Sequence, residues 1–172
     1  MFLTNKIDRN RKDKHIPILA WAAVLLWMAV IFYLSSQPAE TSNGLSRGVT
    51  EMIIKSIDMI YPLDVETSTA SDWIDRMNNI VREYAHAAVF LILALFVLGA
   101  LRRTGLRGFR AFSAAFAFCV AYALTDEVHQ IFVPGRAWEL GDLARDLCGA
   151  LVGLVLYSIA SFAFTSRASR KI

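Results

Sequence analysis

Long runs without formal charge constrain this chain more than any other feature. Ile16–Ser36, Tyr84–Leu101 and Leu147–Ser166 contain no Asp, Glu, Lys or Arg, and Ala111–Val133 carries charge only at Asp126 and Glu127. A helix needs about 20 residues to cross roughly 30 Å of hydrocarbon, and these runs approach or reach that length. The spacing predicts an all-α, four-helix transmembrane bundle in one domain covering residues 1–172. The competing reading is a soluble helical core, but buried helices of soluble proteins rarely extend this far without a charge. A cleaved signal peptide is a second reading of the first run. Signal h-regions are about 7 to 15 residues long, and SSQPAE is a poor small-x-small cleavage site, so the run is read as a retained helix.

Basic residues fix the expected orientation. Lys6, Arg9, Arg11, Lys12 and Lys14 lie in a tail over residues 1–15. Arg102, Arg103, Arg107 and Arg110 link the second and third runs, and Arg167, Arg170 and Lys171 lie in a tail over residues 167–172. With four crossings these segments share one side, and Lys and Arg favour the cytoplasmic one, so both termini are predicted cytoplasmic. The net charge of +3 is then a topology signal that requires no nucleic acid. Attraction to anionic lipid is compatible with the same orientation. Cys119 and Cys148 fall inside predicted spans without metal-ligand spacing, and both are read as packing residues rather than a disulfide.

The extracytoplasmic loop, residues 37–82, contains an amphipathic pattern. Leu45, Val49, Met52, Ile53, Ile57 and Ile60 recur at helical spacing, with Arg47, Glu51, Lys55 and Asp58 between them and a stop near Pro62. Such a helix lies on the membrane surface, lids the bundle, or packs for stability alone. Leu63–Ala70 reads as a loop, with Ser71 or Asp72 as N-cap of a helix running from about Ser71 to Leu101.

The polar residues point inward. At about 100° per residue, Asp126, Glu127, His129 and Gln130 share an arc of roughly 160°. On the last helix, Glu139, Asp142, Arg145 and Asp146 lie on the face continued by Gly149 and Gly153, and small residues let helix backbones approach closely in lipid. Arg82, Glu83 and His86 cluster at the matching end of the second helix, and Ser35, Ser36 and Gln37 at that of the first. The apolar stretch before Asp126 rises only about 22 Å, short of a bilayer core, so Asp126 and Glu127 are expected at membrane depth in a pocket open to one side. Ionisable groups there are costly, which makes the cluster the default functional site. Pro134-Gly135 favours a tight turn holding Arg136 over the carboxylates, and Trp138 suits an interface.

LSSQP at the end of the first helix, REYAHAAVF at the start of the second, and DEVHQIFVPGRAWELGDLARDLCGALVG resemble the VanZ-like family of bacterial membrane proteins. The last segment matches the family's DE-x-HQ-x-F-x-PGR…D…G pattern over a long stretch. The resemblance covers the four-helix layout, though no motif in the long loop takes part. Two positions depart from the pattern: Arg82 stands where the family often has lysine, and Asp146, an additional carboxyl, where it usually has asparagine. The resemblance implies a multi-pass protein of the bacterial cytoplasmic membrane. It also implies a link to low-level resistance to the glycopeptide teicoplanin, with which the founding member is associated.

Glu83, Asp126, Glu127, Glu139, Asp142 and Asp146 stand against Arg82, Arg136 and Arg145, with His86 and His129 beside them. So many carboxylates at close range need compensation. Arginines can pair with them, protons can be shared, or a divalent cation can bind among hard oxygens; the metal ligands stay open. The first functional reading is recognition or chemistry of an anionic envelope lipid or lipid-linked cell-wall precursor. The substrate-binding candidates are Arg136, Arg82, Gln130, His86, Gln37 and Asp146, because guanidinium matches phosphate oxygens bidentately. The catalytic candidates are Asp126, Glu127, His129 and Asp142, which could move protons in a membrane-embedded phosphate-ester hydrolase or transferase. No G-x-S-x-G and no nucleophile-type cysteine accompanies them. The other readings are a non-catalytic binding or resistance module, a purely structural ion-pair network, and a transporter. The last lacks a broken-helix pair or inverted repeat. Oligomeric state is left open.

Overall fold

The computed structural model describes the backbone of residues 2–60 and 67–169 and the side chains of residues 17–60 and 73–162. Its elements, in order, are α1 (Phe2–Ser35), α2 (Ala39–Ile60), α3 (Thr67–Arg103), α4 (Gly108–Gln130) and α5 (Leu140–Ser169). No strand occurs among the described residues. Four segments are long and apolar enough to cross a membrane: Pro17–Ser35, Trp73–Arg103, Gly108–Gln130 and Leu140–Phe162.

Several expected boundaries move. The first helix already begins at Phe2, so the segment read as a basic tail has helical backbone, while its Lys and Arg side chains lie outside the described residues. α3 begins at Thr67 rather than Ser71. Thr67–Ala70 contains neither glycine nor proline, and a helix nucleated by long-range packing propagates through such residues at little cost. Ser71 and Asp72 therefore lie inside the helix and are not its caps. The stop near Pro62 and the loop over residues 63–66 lie outside the described residues, as do the side chains of the C-terminal basic tail. The last span starts at Leu140, not Leu147, because Asp142, Arg145 and Asp146 are accommodated within the bundle rather than in a loop.

α3 is the central helix. Phe90, Leu93, Ala94, Val97 and Leu98 are all fully buried on it. Its closest neighbour is α5, and glycine is the reason. A Cβ on Gly149 would collide with the Ala87 main chain, and one on Gly153 would fall 2.5 Å from the Leu91 carbonyl oxygen. Without a hydrophobic drive between helices in lipid, such close backbone contact is what holds them together. α4 presents Ala111, Ala115, Cys119 and Ala123, a buried stripe at four-residue spacing. α1 contributes Val24 and Ile31 to the same core, and Trp27 Nε1 donates to the Val89 carbonyl at 2.9 Å. Tyr122 Oη donates to the Met28 carbonyl at 2.6 Å, pinning α4 to α1. Cys119 is buried as expected; Cys148 is not a packing residue but exposed on the outer face of α5.

α3 and α4 reverse through a compact turn. Leu106 N donates to Leu101 O at 3.1 Å, and Gly105 adopts φ +102°, a left-handed helix ending that glycine alone takes without penalty. This places Arg102, Arg103, Arg107 and Arg110 at one end of the bundle. The C-termini of α1 and α4 and the N-termini of α3 and α5 gather at the other, together with α2.

Candidate functional site

The stripes that build the core continue into the polar end. On α4 the spacing Ala115–Cys119–Ala123 leads to Glu127, with Asp126 and Gln130 beside it, and all three polar residues are buried. On α5, Gly153 and Gly149 lead to Asp146, which is 1% exposed, and then to Asp142. The contact geometry that draws the helices together thus also draws their carboxylates inward.

Asp126 lies where α1 meets α4. Ser35 Oγ donates to its Oδ2 at 2.7 Å and Gln130 Nε2 donates to the same atom at 3.2 Å. Its Oδ1 is buried and accepts no hydrogen bond within the protein. Asp146 faces His86 across the α3–α5 seam, with His86 Nδ1 3.7 Å from its Oδ1 and neither Asp146 oxygen hydrogen-bonded. Nearer the rim, Arg145 joins Asp142 and also reaches Glu83 at 3.1 Å. Compensation by arginine therefore operates at the rim, whereas among the described residues neither of the two deepest aspartates forms a salt bridge with an arginine. Among the described residues no three His, Cys, Asp or Glu side chains converge in a metal-binding group.

The link over residues 131–139 has the expected turn. Arg136 N donates to Val133 O at 3.1 Å and Gly135 adopts φ +76°, as a turn with proline second and glycine third requires. Pro134 O accepts from Ala39 N at 3.3 Å, and Arg136 Nε donates to the Gln37 carbonyl at 3.2 Å, so this link also anchors the start of α2. A Cβ at Gly135 would sit 3.1 Å from Ala39 Cβ. Gly135→Ala should therefore destabilise the fold by about 1–2 kcal/mol, the usual penalty for a left-handed non-glycine residue. Faster hydrogen exchange confined to α2 would be the signature, and unchanged exchange there would contradict the anchoring role. Burial pulls the Arg136 guanidinium below its ordinary value. Asp142 opposes this, Arg82 adds to it, and Asp126 and Glu127 oppose it again.

A cavity of about 290 Å³ opens between α1, α2 and α3. Ile31, Leu34, Leu45, Val49, Val89 and Phe90 form apolar walls, while Arg82, Arg136, His86 and Asp126 stand at its polar end. A second, polar cavity of about 120 Å³ shares Arg82, Arg136 and His86 and adds Gln130, Glu139 and Asp142. Of the residues singled out from sequence, the structure thus gathers Arg82, His86, Asp126, Gln130, Arg136 and Asp142 around these two spaces. Gln37 lines the first, but its side-chain amide donates to Tyr33 O at 3.1 Å, and it is the main-chain carbonyl that holds Arg136. Asp146 supports the wall behind His86. Glu127 and His129 line neither cavity. Glu127 Oε2 accepts from Glu139 N at 3.2 Å and so ties the link to α4, while His129 stacks on Phe32 at 4.4 Å between ring centres.

Sequence reasoning placed Ser35 at the right level but did not select it, and although it offered α2 as a lid it did not select Ser42 and Ser46, which line the first cavity. Their i, i+4 spacing beside the apolar stripe was the available signal. A family model described as VanZ/LLP1 matches residues 20–161, which takes in α2 and all but the outermost residues of the four membrane-length helices. No curated protein and no solved structure matches the chain.

Proposed function

The chain belongs to the VanZ/LLP1 family of multi-pass membrane proteins, and on that premise we propose that it binds an anionic amphiphile of the cell envelope, a phospholipid or lipid-linked cell-wall precursor. The observation that carries this reading is one cavity with apolar walls and two guanidinium groups, Arg82 and Arg136, at its polar end. An alkyl chain fits the first environment and a phosphate the second. In the orientation that the basic link implies, with termini cytoplasmic, this end faces the outer leaflet of the cytoplasmic membrane.

Recognition is favoured over chemistry. Two of the four catalytic candidates, Glu127 and His129, line neither cavity, and the hydroxyl hydrogen-bonded to Asp126, that of Ser35, is itself buried. Asp126 and Asp142 then orient donors and set the charge of the site rather than transfer protons. A second reading, a network that only fixes helix register, draws on the Ser35–Asp126–Gln130 hydrogen bonds. It leaves unexplained why Asp126, which lines the first cavity, keeps a buried Oδ1 without a hydrogen bond, since a structural network is stable only when its members are satisfied.

Binding to the purified full chain in detergent tests the proposal. A phosphate-bearing anionic lipid should bind at least about tenfold more tightly than phosphatidylcholine with the same acyl chains, as charge-assisted hydrogen bonds to one uncompensated phosphate predict. Equal affinity would overturn it. In cells, expression should shift teicoplanin susceptibility, since a protein holding an envelope lipid changes the surface that a glycopeptide meets.

A further inference from the structure

A third cavity adjoins the first two. It has a volume of about 400 Å³ and lies between α2 and α3, lined by Asn43, Gly44, Arg47, Asp75, Asn78, Asn79 and Arg82. Arg82 is common to all three spaces. Its Nη1 donates to Asn43 Oδ1 at 3.1 Å, which holds the guanidinium at the junction.

The chemistry of this cleft differs from that of its neighbours. Its other cation is already matched: Arg47 lies 3.5 Å from Asp75 and 3.7 Å from Glu51. A second phosphate would meet those carboxylates. What remains are three carboxamides, each able both to donate and to accept. The Asn78 Oδ1 accepts no hydrogen bond and is covered, so a hydroxyl in the cleft reaches it when the carboxamide turns about its last side-chain torsion. A buried acceptor left unmatched costs free energy until a donor reaches it. Gly44 leaves room, since a Cβ there would meet nothing within 4 Å.

We propose that this cleft is a headgroup subsite for an uncharged, hydroxyl-bearing moiety, a glycerol or a sugar, esterified to the phosphate held by Arg82 and Arg136. The inference rests on the amphiphile reading above and narrows it. The ligand is a phosphodiester lipid with a polyol or glycosyl head, its chain in the apolar cavity and its hydroxyls against Asn43, Asn78 and Asn79.

The test compares two lipids of equal charge and equal chains. Dioleoylphosphatidylglycerol carries headgroup hydroxyls and dioleoylphosphatidylethanol carries none. The full-length protein in detergent should bind the first about five- to tenfold more tightly, the worth of one or two hydrogen bonds to otherwise unmatched groups. Asn78→Leu should bring that ratio to about one while leaving phosphatidylethanol affinity unchanged, as expected when only neutral hydrogen bonds are removed. Asn79→Ala, at an exposed position where folding is not at stake, should lower the ratio as well. If the unaltered protein binds both lipids equally, or both variants keep the preference, the subsite is overturned and the amphiphile reading stands. If neither lipid binds, both fall.

Discussion

Gly149→Val should cost the fold about 3 kcal/mol or more, the upper end of what overpacking costs, because here the obstacle is main chain. A Cβ at this position would fall 2.7 Å from the Ala87 carbonyl carbon and 2.8 Å from its Cα. A flexible side chain could turn aside, but a helix backbone can yield only by moving the whole of α3 away from α5. The same displacement would separate His86 from Asp146 and Arg145 from Glu83, so the site would open with the seam. Gly48→Ala provides the contrast. A Cβ there meets nothing within 4 Å, so this change should be neutral or gain up to about 1 kcal/mol from helix propensity. Unfolding titrations in mixed micelles measure both. A Gly149→Val protein as stable as the parent would mean that α3 and α5 are not in backbone contact.

Arg136→Ala should weaken binding of an anionic lipid by about 30-fold or more, the equivalent of about 2 kcal/mol for a charge-assisted pair. The loss combines two causes: the guanidinium proposed to meet the phosphate disappears, and the Gln37 carbonyl loses its donor. Arg136→Lys separates them. It keeps the charge but neither the fork nor the Nε bond, so an intermediate affinity is expected. Asp126→Asn should behave differently. An amide oxygen can still accept from Ser35 and Gln130, and binding should stay within about threefold of the parent, as expected for a swap that preserves the local hydrogen bonds. If Asp126→Asn abolishes cellular function while lipid binding persists, the carboxylate is doing chemistry and recognition alone is an insufficient account. If Arg136→Ala binds lipid as well as the parent, the amphiphile reading fails.

Helical faces read from residue spacing anticipate which polar residues are buried in the bundle. Asp142 and Asp146 turn inward because they continue the glycine face of α5, and Asp126 and Gln130 flank Glu127, which continues the small-residue stripe of α4; both stripes are visible in the sequence. His129 and Glu127 are less legible. Both fall within the polar arc of α4, but the arc is wide enough to face two neighbours. At its edge His129 meets Phe32 of α1, while Glu127 meets the main chain of Glu139. Which neighbour stands at which angle depends on helix crossing and rotation, and a single helix carries no record of either. Cys148 is a similar case: its place inside a span was legible, but its outward direction follows from Gly149 being the residue pressed against α3.

By itself the sequence determined the number of crossings, the gathering of charge at one end, the turn at Pro134-Gly135 and the amphipathic helix α2. These depend on local covalent chemistry and on the cost of placing charge in hydrocarbon, which act residue by residue. Only the tertiary structure decided that α2 would become a wall. Its docking depends on a hydrogen bond from Ala39 to Pro134 and on the absence of a side chain at Gly135, groups nearly one hundred residues apart whose encounter no local pattern encodes. That encounter turns a cluster of charges into a cavity with an apolar chamber and a cationic end, because a site's chemistry is set by which surfaces face one another across the same space.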